Sequence, residues 1–157
     1  MKSKILIGLL VVLLSVLSGC AGATTPSATE TTPPASTEEE GPSISAEEVP
    51  RITIEELKAL VDSGTDVVIV DVQPASVYSE WHIAGAINIP WAMELSEADI
   101  AKLPKDKPII TYCDCGPGES DSADTAAKLI RKGFKDVEVL LDPSIRGWEE
   151  AGYPMGE

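Results

Sequence analysis

The sequence is short of aromatic side chains, of histidine, of cysteine and of positive charge. Seven of its 157 residues are aromatic and one is a histidine. Twelve Lys and Arg stand against 26 Asp and Glu, a net charge of −14 at pH 7. Phosphate binding needs clustered Lys and Arg, and no segment concentrates them, which excludes a DNA- or RNA-binding role. Three cysteines, Cys20, Cys113 and Cys115, are too few for a disulfide-dense scaffold. The length excludes two full domains. The apolar run Ile5 to Leu14 falls short of the roughly 20 residues that span a bilayer.

What is present divides into three parts. Residues 1–19 carry Lys2 and Lys4, then the apolar run, and close on Leu17-Ser18-Gly19 before Cys20, the pattern of a secretory signal with a small-residue cleavage site. The tetrapeptide Leu17 to Cys20 resembles a bacterial lipobox. That resemblance implies that Cys20 becomes the lipid-modified first residue, anchoring the chain outside the cytoplasm by acyl chains worth about 0.8 kcal/mol per buried CH₂. The competing readings are a plain signal anchor or a short transmembrane helix. Loss of residues 1–19 leaves ten basic against 26 acidic groups, a net −16. Such a protein repels anionic lipid headgroups, so the lipid alone must supply attachment.

Residues 20–48 form the second part. From 21 to 48, 20 of 28 residues are Ser, Thr, Pro or Glu, and Ile44 is the one large aliphatic. This composition offers too little apolar surface to offset ordering entropy, and it predicts a disordered stalk spanning on the order of 30 Å.

Residues 49–157 hold all seven aromatics and are expected to be the folded domain. Thr53-Ile54-Glu55-Glu56 is a capping-box pattern, and Ile54, Leu57, Leu60 and Val61 then share one helical face. Gly64 ends that helix. Asp66 to Val72 is a β-branched run suited to a strand buried on both faces. A short helix is expected over Val77 to Trp81, a strand over Ala86 to Ile89, and a helix over Ser96 to Leu103. Pro108 to Tyr112 reads as another buried strand. Ser122 to Lys132 is amphipathic, with Ala123, Ala126, Ala127 and Ile130 inward and Gly133 as its C-terminal cap. Val137 to Leu141 is the last strong strand, and Ser144 to Ala151 a final helix. The alternation predicts an α/β fold, a mostly parallel central sheet with helices on both faces. Ligands gather beyond the carboxyl ends of strands in such sheets, and Cys113 sits at such an end, before a helix.

Three stretches of this domain resemble the rhodanese family. They are Asp71-Val72-Gln73 followed by Tyr78 to Pro90 with its His82-Ile83-Ala84-Gly85-Ala86 core, Ile109 to Cys113 running into Ser122 to Ala127 and on to Gly133-Phe134 and Val137, and Trp148 to Pro154. The resemblance implies a single rhodanese-like domain. It also implies a sulfurtransferase that moves sulfane sulfur from a donor such as thiosulfate to a thiol acceptor, through a persulfide on Cys113. The residues point the same way. A thiolate at Cys113 would face a helix N-terminus, which stabilises an anion, and amides of Gly116 and Gly118 could curl around the sulfur.

This chain departs from the family pattern in its loop, which is longer than usual. Cys113 to Ser122 spans nine residues, and the insert Asp114, Cys115, Gly116, Pro117, Gly118, Glu119, Ser120, Asp121 holds three acids and no base. Carboxylates beside a thiolate raise its pKa and repel thiosulfate, which favours a less anionic persulfide or polysulfide donor. Gln73 stands where the family commonly has arginine, and Asp142-Pro143-Ser144 replaces a frequent Gly-Gly turn. Arg146 is the nearest candidate for a compensating cation. Cys115 makes the loop similar to a Cys-x-Cys variant within the family, in which the second thiol resolves the persulfide or exchanges sulfur with the first. A disulfide across one intervening residue would be labile.

Two thiols and His82 could supply three zinc ligands, yet the resemblance gives His82 a structural role, so neither a metal nor another cofactor is expected. Related folds that act as phosphatases need a phosphate-binding arginine, which is missing from Cys113 to Lys128. A catalytically silent binding module and a Cys-x-Cys redox protein remain as alternatives. Trp81, Trp91, Tyr78 and Tyr153 are expected to be structural. The expected partners are a small sulfur donor, a thiol acceptor and, through Cys20, a membrane; the domain is expected to be a monomer.

Overall fold

A computed structural model of the chain describes residues 41–157. The signal segment, Cys20 and most of the stalk lie outside the described residues. No helix among the described residues is long and apolar enough to cross a membrane.

Five short strands form one sheet: β1 (Arg51–Ile52), β2 (Val68–Asp71), β3 (Ile87–Asn88), β4 (Ile109–Tyr112) and β5 (Val137–Leu140). The order across the sheet is β1-β5-β4-β2-β3, and every pair is parallel. Helices α1 (Ile54–Asp62), α2 (Ala75–Tyr78), α3 (Glu97–Ile100) and α4 (Ser120–Arg131) fill the connections, and α5 (Ser144–Glu150) follows the last strand.

Strand alternation sorts the apolar residues into two cores. Val70, Ile109, Val137 and Val139 pack on one face with Ala123, Ala126, Ala127 and Leu129 of α4. Ile69, Ile110, Tyr112 and Leu140 pack on the other with Leu57 of α1 and Ile145 and Trp148 of α5. A strand with both faces covered has no polar side to show, which is why β2 and β4 read as continuous apolar runs.

The expected α/β architecture is present, with differences at the edges. The two-residue β1 was not foreseen, since so short a strand has no periodicity to read. The helix expected over Ser96 to Leu103 is confined to Glu97–Ile100, capped by the Ser96 hydroxyl at 3.1 Å from the Asp99 amide. Val61, expected on the inner face of α1, is 39% exposed in its last turn.

Residues 41–48 also differ from the expected stalk, because they dock on the domain. The Gly41 N–H donates to the Arg131 carbonyl at 2.7 Å, and the Arg131 guanidinium donates to the Ile44 carbonyl at 2.9 Å. Ile44 and Ala46 pack on the core of the α4 face, beside buried Val49. A capping box of Ser45 and Glu48 folds a single 3-10 turn, Ala46–Glu48, between them. One aliphatic in a polar segment is invisible to a composition average, yet here it has a surface to bury against.

Candidate active site

The site is built where β4 ends. Tyr112, the last strand residue, is fully buried, and its hydroxyl donates to the Asp71 carboxylate at 2.6 Å while accepting from the Ile83 amide at 3.0 Å. Asp71 ends the neighbouring β2 in register with Tyr112, and it also accepts from the Gln73 amide at 2.7 Å. Burial pushes the Asp71 carboxyl above the ordinary aspartate range, against the pull of the Tyr112 and Gln73 hydrogen bonds. The Tyr112 hydroxyl is pushed up by the same burial and by Asp71, so it remains a donor. This knot fixes the ends of β2 and β4 and the segment that begins at His82. Gln73 serves it as a buried donor, with its side-chain amide 3.2 Å from Asp71.

Cys113 follows Tyr112 and is 3% exposed. Its Sγ is bonded to that of Cys115 at 2.05 Å, with the Cα atoms 5.4 Å apart. Cys115 itself is exposed. The loop then turns through Gly116 at φ 74°, Gly118 at φ 94° and Glu119 at φ 47°, three left-handed residues that reverse the chain into α4. Glycine takes such angles freely; Glu119 adopts them at a steric cost and is held by its side chain.

That reversal starts α4 at Ser120, two residues earlier than the sequence pattern suggested. Ser122 is therefore not the opening residue but lies inside the first turn, fully buried. Its hydroxyl is 3.4 Å from Cys113 Sγ and donates to the Glu119 carbonyl at 3.0 Å. Thr111 on β4 donates to the Ser122 carbonyl at 3.0 Å, so strand and helix hold the sulfur and the hydroxyl together. The first-turn N–H groups of α4 have no acceptor within the helix and add positive potential at the sulfur. The cradle expected from Gly116 and Gly118 is not formed with the disulfide closed. No backbone amide among the described residues donates to Cys113 Sγ, and the Glu119 amide is used on the Gly116 carbonyl at 3.1 Å.

The loop acids stand differently from the uncompensated cluster read in the sequence. Asp114 receives both Nε and Nη2 of Arg146, the former at 2.6 Å, and the guanidinium lies 5.4 Å from the centre of the Trp81 ring. Glu119 is 4% exposed, accepting from the Asp142 amide at 3.0 Å and facing Arg51 Nε at 3.4 Å. It is a brace between the loop, β1 and the turn before α5. Asp121 is left without an ion pair among the described residues, and Ser120 donates to it at 3.3 Å on the surface. Charge repulsion at the sulfur is therefore smaller than three free carboxylates would give. Arg51 was missed in the sequence and had no local signal, since its partner is 68 positions away.

His82 stands apart from the cysteines. Its Nδ1 is 2.7 Å from the Tyr78 carbonyl, its ring stacks on Tyr78 at 4.1 Å, and its carbonyl accepts from the Gly156 amide at 2.8 Å. No cluster of three His, Cys, Asp or Glu side chains suited to a metal occurs among the described residues. Trp91, expected in the core or on a pocket rim, is 40% exposed and lines a groove of about 600 Å³ with Met93, Asp124 and Lys128.

Comparison with known proteins gives the same picture. The family model described as a rhodanese-like domain matches residues 53–151. A protein of Coxiella burnetii named thiosulfate sulfurtransferase GlpE is 38% identical over 78 residues, covering 48% of this chain and 66% of that one. The Mycobacterium tuberculosis protein named probable adenylyltransferase/sulfurtransferase MoeZ is 34% identical over 98 residues, covering 62% and 24%. The chain thus spans less than two thirds of the length of these curated relatives. A solved structure from Bacillus halodurans is similar at a TM-score of 0.61 and 32% identity, covering 69% of this chain and 77% of its own. With Cys113 at the end of a central strand and against the first turn of the following helix, the chain belongs to the rhodanese-like domain family.

Proposed function

We propose that this protein is a sulfurtransferase that carries sulfane sulfur as a persulfide on Cys113, tethered outside the cytoplasm through a lipid on Cys20. The observation that carries the reading is the seating of Cys113 Sγ, buried against the first turn of α4 and 3.4 Å from the Ser122 hydroxyl. Two relatives named as sulfurtransferases support the class of reaction.

The working form is the dithiol. The Cys113 thiolate attacks the outer sulfur of a persulfide or polysulfide, a new S–S bond forms, and the shortened donor leaves as a thiolate. Ser122 has one hydroxyl hydrogen, which rests on the Glu119 carbonyl in the disulfide form and can turn to the sulfur once that sulfur is an anion. The helix N-terminus favours the same charge. An acceptor thiolate then takes the terminal sulfur and returns Cys113 to the thiolate. Arg146 is engaged by Asp114, so no loop cation is free for a doubly charged donor, and Asp121 adds a negative charge. This favours a singly charged organic persulfide over doubly charged thiosulfate.

Thiocyanate formation by the reduced protein with cyanide as acceptor tests the reading. Turnover above the uncatalysed cyanolysis rate is expected with an organic persulfide such as cysteine persulfide, slower turnover with thiosulfate, and none above that background from Cys113→Ser. Equal rates with both donors would overturn the donor preference. Undiminished turnover by Cys113→Ser would overturn the sulfur carrier.

A further inference from the structure

The closed loop holds a second chemistry that needs no sulfane donor. We propose that the Cys113–Cys115 disulfide is itself an acceptor for sulfide: hydrosulfide attacks the exposed Cys115 sulfur, Cys113 leaves as a thiolate, and the incoming sulfur becomes a persulfide on Cys115.

Three features of the loop select this direction. The two sulfurs of the bond differ in access, since Cys113 is 3% exposed whereas Cys115 is an exposed residue. A nucleophile from solvent therefore meets Cys115. The two also differ as leaving groups, and thiol–disulfide exchange runs fastest when the departing thiolate is the more stable one. Cys113 would depart into the first turn of α4 with the buried Ser122 hydroxyl 3.4 Å away, whereas Cys115 has no hydrogen-bond donor at its sulfur among the described residues. Of the three loop acids only Asp121 faces an incoming anion without an ion pair among the described residues, and singly charged hydrosulfide meets half the repulsion that a dianion would. Asp114, the residue between the two cysteines, has its charge offset by Arg146, and Glu119 is turned inward to Arg51 and the Asp142 amide.

The step balances without another reactant. Hydrosulfide supplies an electron pair to form the bond to Cys115 Sγ, the Cys113–Cys115 bond breaks, and Cys113 keeps its pair as a thiolate. Sulfide sulfur is oxidised to the sulfane level and the disulfide is the oxidant, so each closed loop takes up one sulfide. The proposal does not depend on Cys113 as the sulfur carrier, because the sulfur resides on Cys115. It makes the oxidised protein a converter of sulfide into transferable sulfur, and the chemical class it accepts is the small nucleophilic sulfide anion.

The experiment uses the full-length chain with Cys20→Ser, so that the loop holds its only thiols. Oxidised protein is mixed with sodium sulfide under anaerobic conditions, alkylated at short times, and examined by intact and peptide mass spectrometry. The expected result is a gain of one H₂S in mass with the persulfide on Cys115, no gain in protein reduced beforehand, and no gain in Cys113→Ser or Cys115→Ser. Absence of uptake by the oxidised protein, equal uptake by the reduced protein, or a first persulfide on Cys113 would overturn the proposal. Reduced Cys115→Ser is exposed to polysulfide in parallel; its failure to load would count against the sulfur-carrier reading while leaving the sulfide result standing.

Discussion

Arg146 decides how anionic the candidate site is, because it binds both oxygens of Asp114 while resting on Trp81. Exposed ion pairs contribute little to stability, so the pair matters more for what it occupies than for what it holds together. Replacing Asp114 with Asn removes one negative charge and frees the guanidinium for a divalent anion. Asp114→Asn is expected to raise the thiosulfate rate several-fold relative to the rate with an organic persulfide, and Arg146→Ala to lower it. An unchanged donor ratio in both variants would show that Arg146 plays no part in donor choice. Ser122 acts beside it on the sulfur rather than on the donor, through its single shared hydrogen.

At the scale of elements, the sequence was most informative where the physics is local. β2 and β4 are visible because burial on both faces leaves unbroken apolar runs, and α1 because Thr53 and Glu56 form a capping box that the structure contains, with the Glu56 amide donating to Thr53 Oγ1 at 3.2 Å. Thr53→Ala is expected to lower unfolding stability by about 1 kcal/mol in urea titration, and an unchanged midpoint would contradict the cap's role. What could not be read is set by long-range contacts. The place of Cys113 at a strand end was legible, but the start of α4 was not, since it depends on Glu119 accepting a left-handed turn in exchange for contacts with Arg51 and Asp142. The charge of the loop was misread for the same reason: its cations arrive from β1 and α5. Residues 41–48 were read as solvated because their docking surface, the end of α4, lies about 90 positions away.

For the whole molecule, the proposed loss of residues 1–19 leaves ten basic against 26 acidic groups, a net −16 that would repel anionic headgroups, so under the proposed tether the lipid alone supplies attachment. In a bacterial host, wild-type protein is expected in the membrane fraction carrying labelled palmitate, and Cys20→Ser to lose both. Retention of the label in Cys20→Ser would overturn the tether. Under the proposed location outside the cytoplasm, the Cys113–Cys115 pair can persist as the disulfide.

The central claim is that Cys113 bears the transferable sulfur, and intact-mass spectrometry of the reduced full-length protein carrying Cys20→Ser, after exposure to polysulfide, tests it most directly. The account predicts one added sulfur atom that persists when Cys115 is also replaced by Ser, so that no second thiol can resolve it, and none when Cys113 is replaced by Ser instead. An unmodified mass in the Cys115→Ser protein, or an added sulfur that survives in Cys113→Ser, would contradict it.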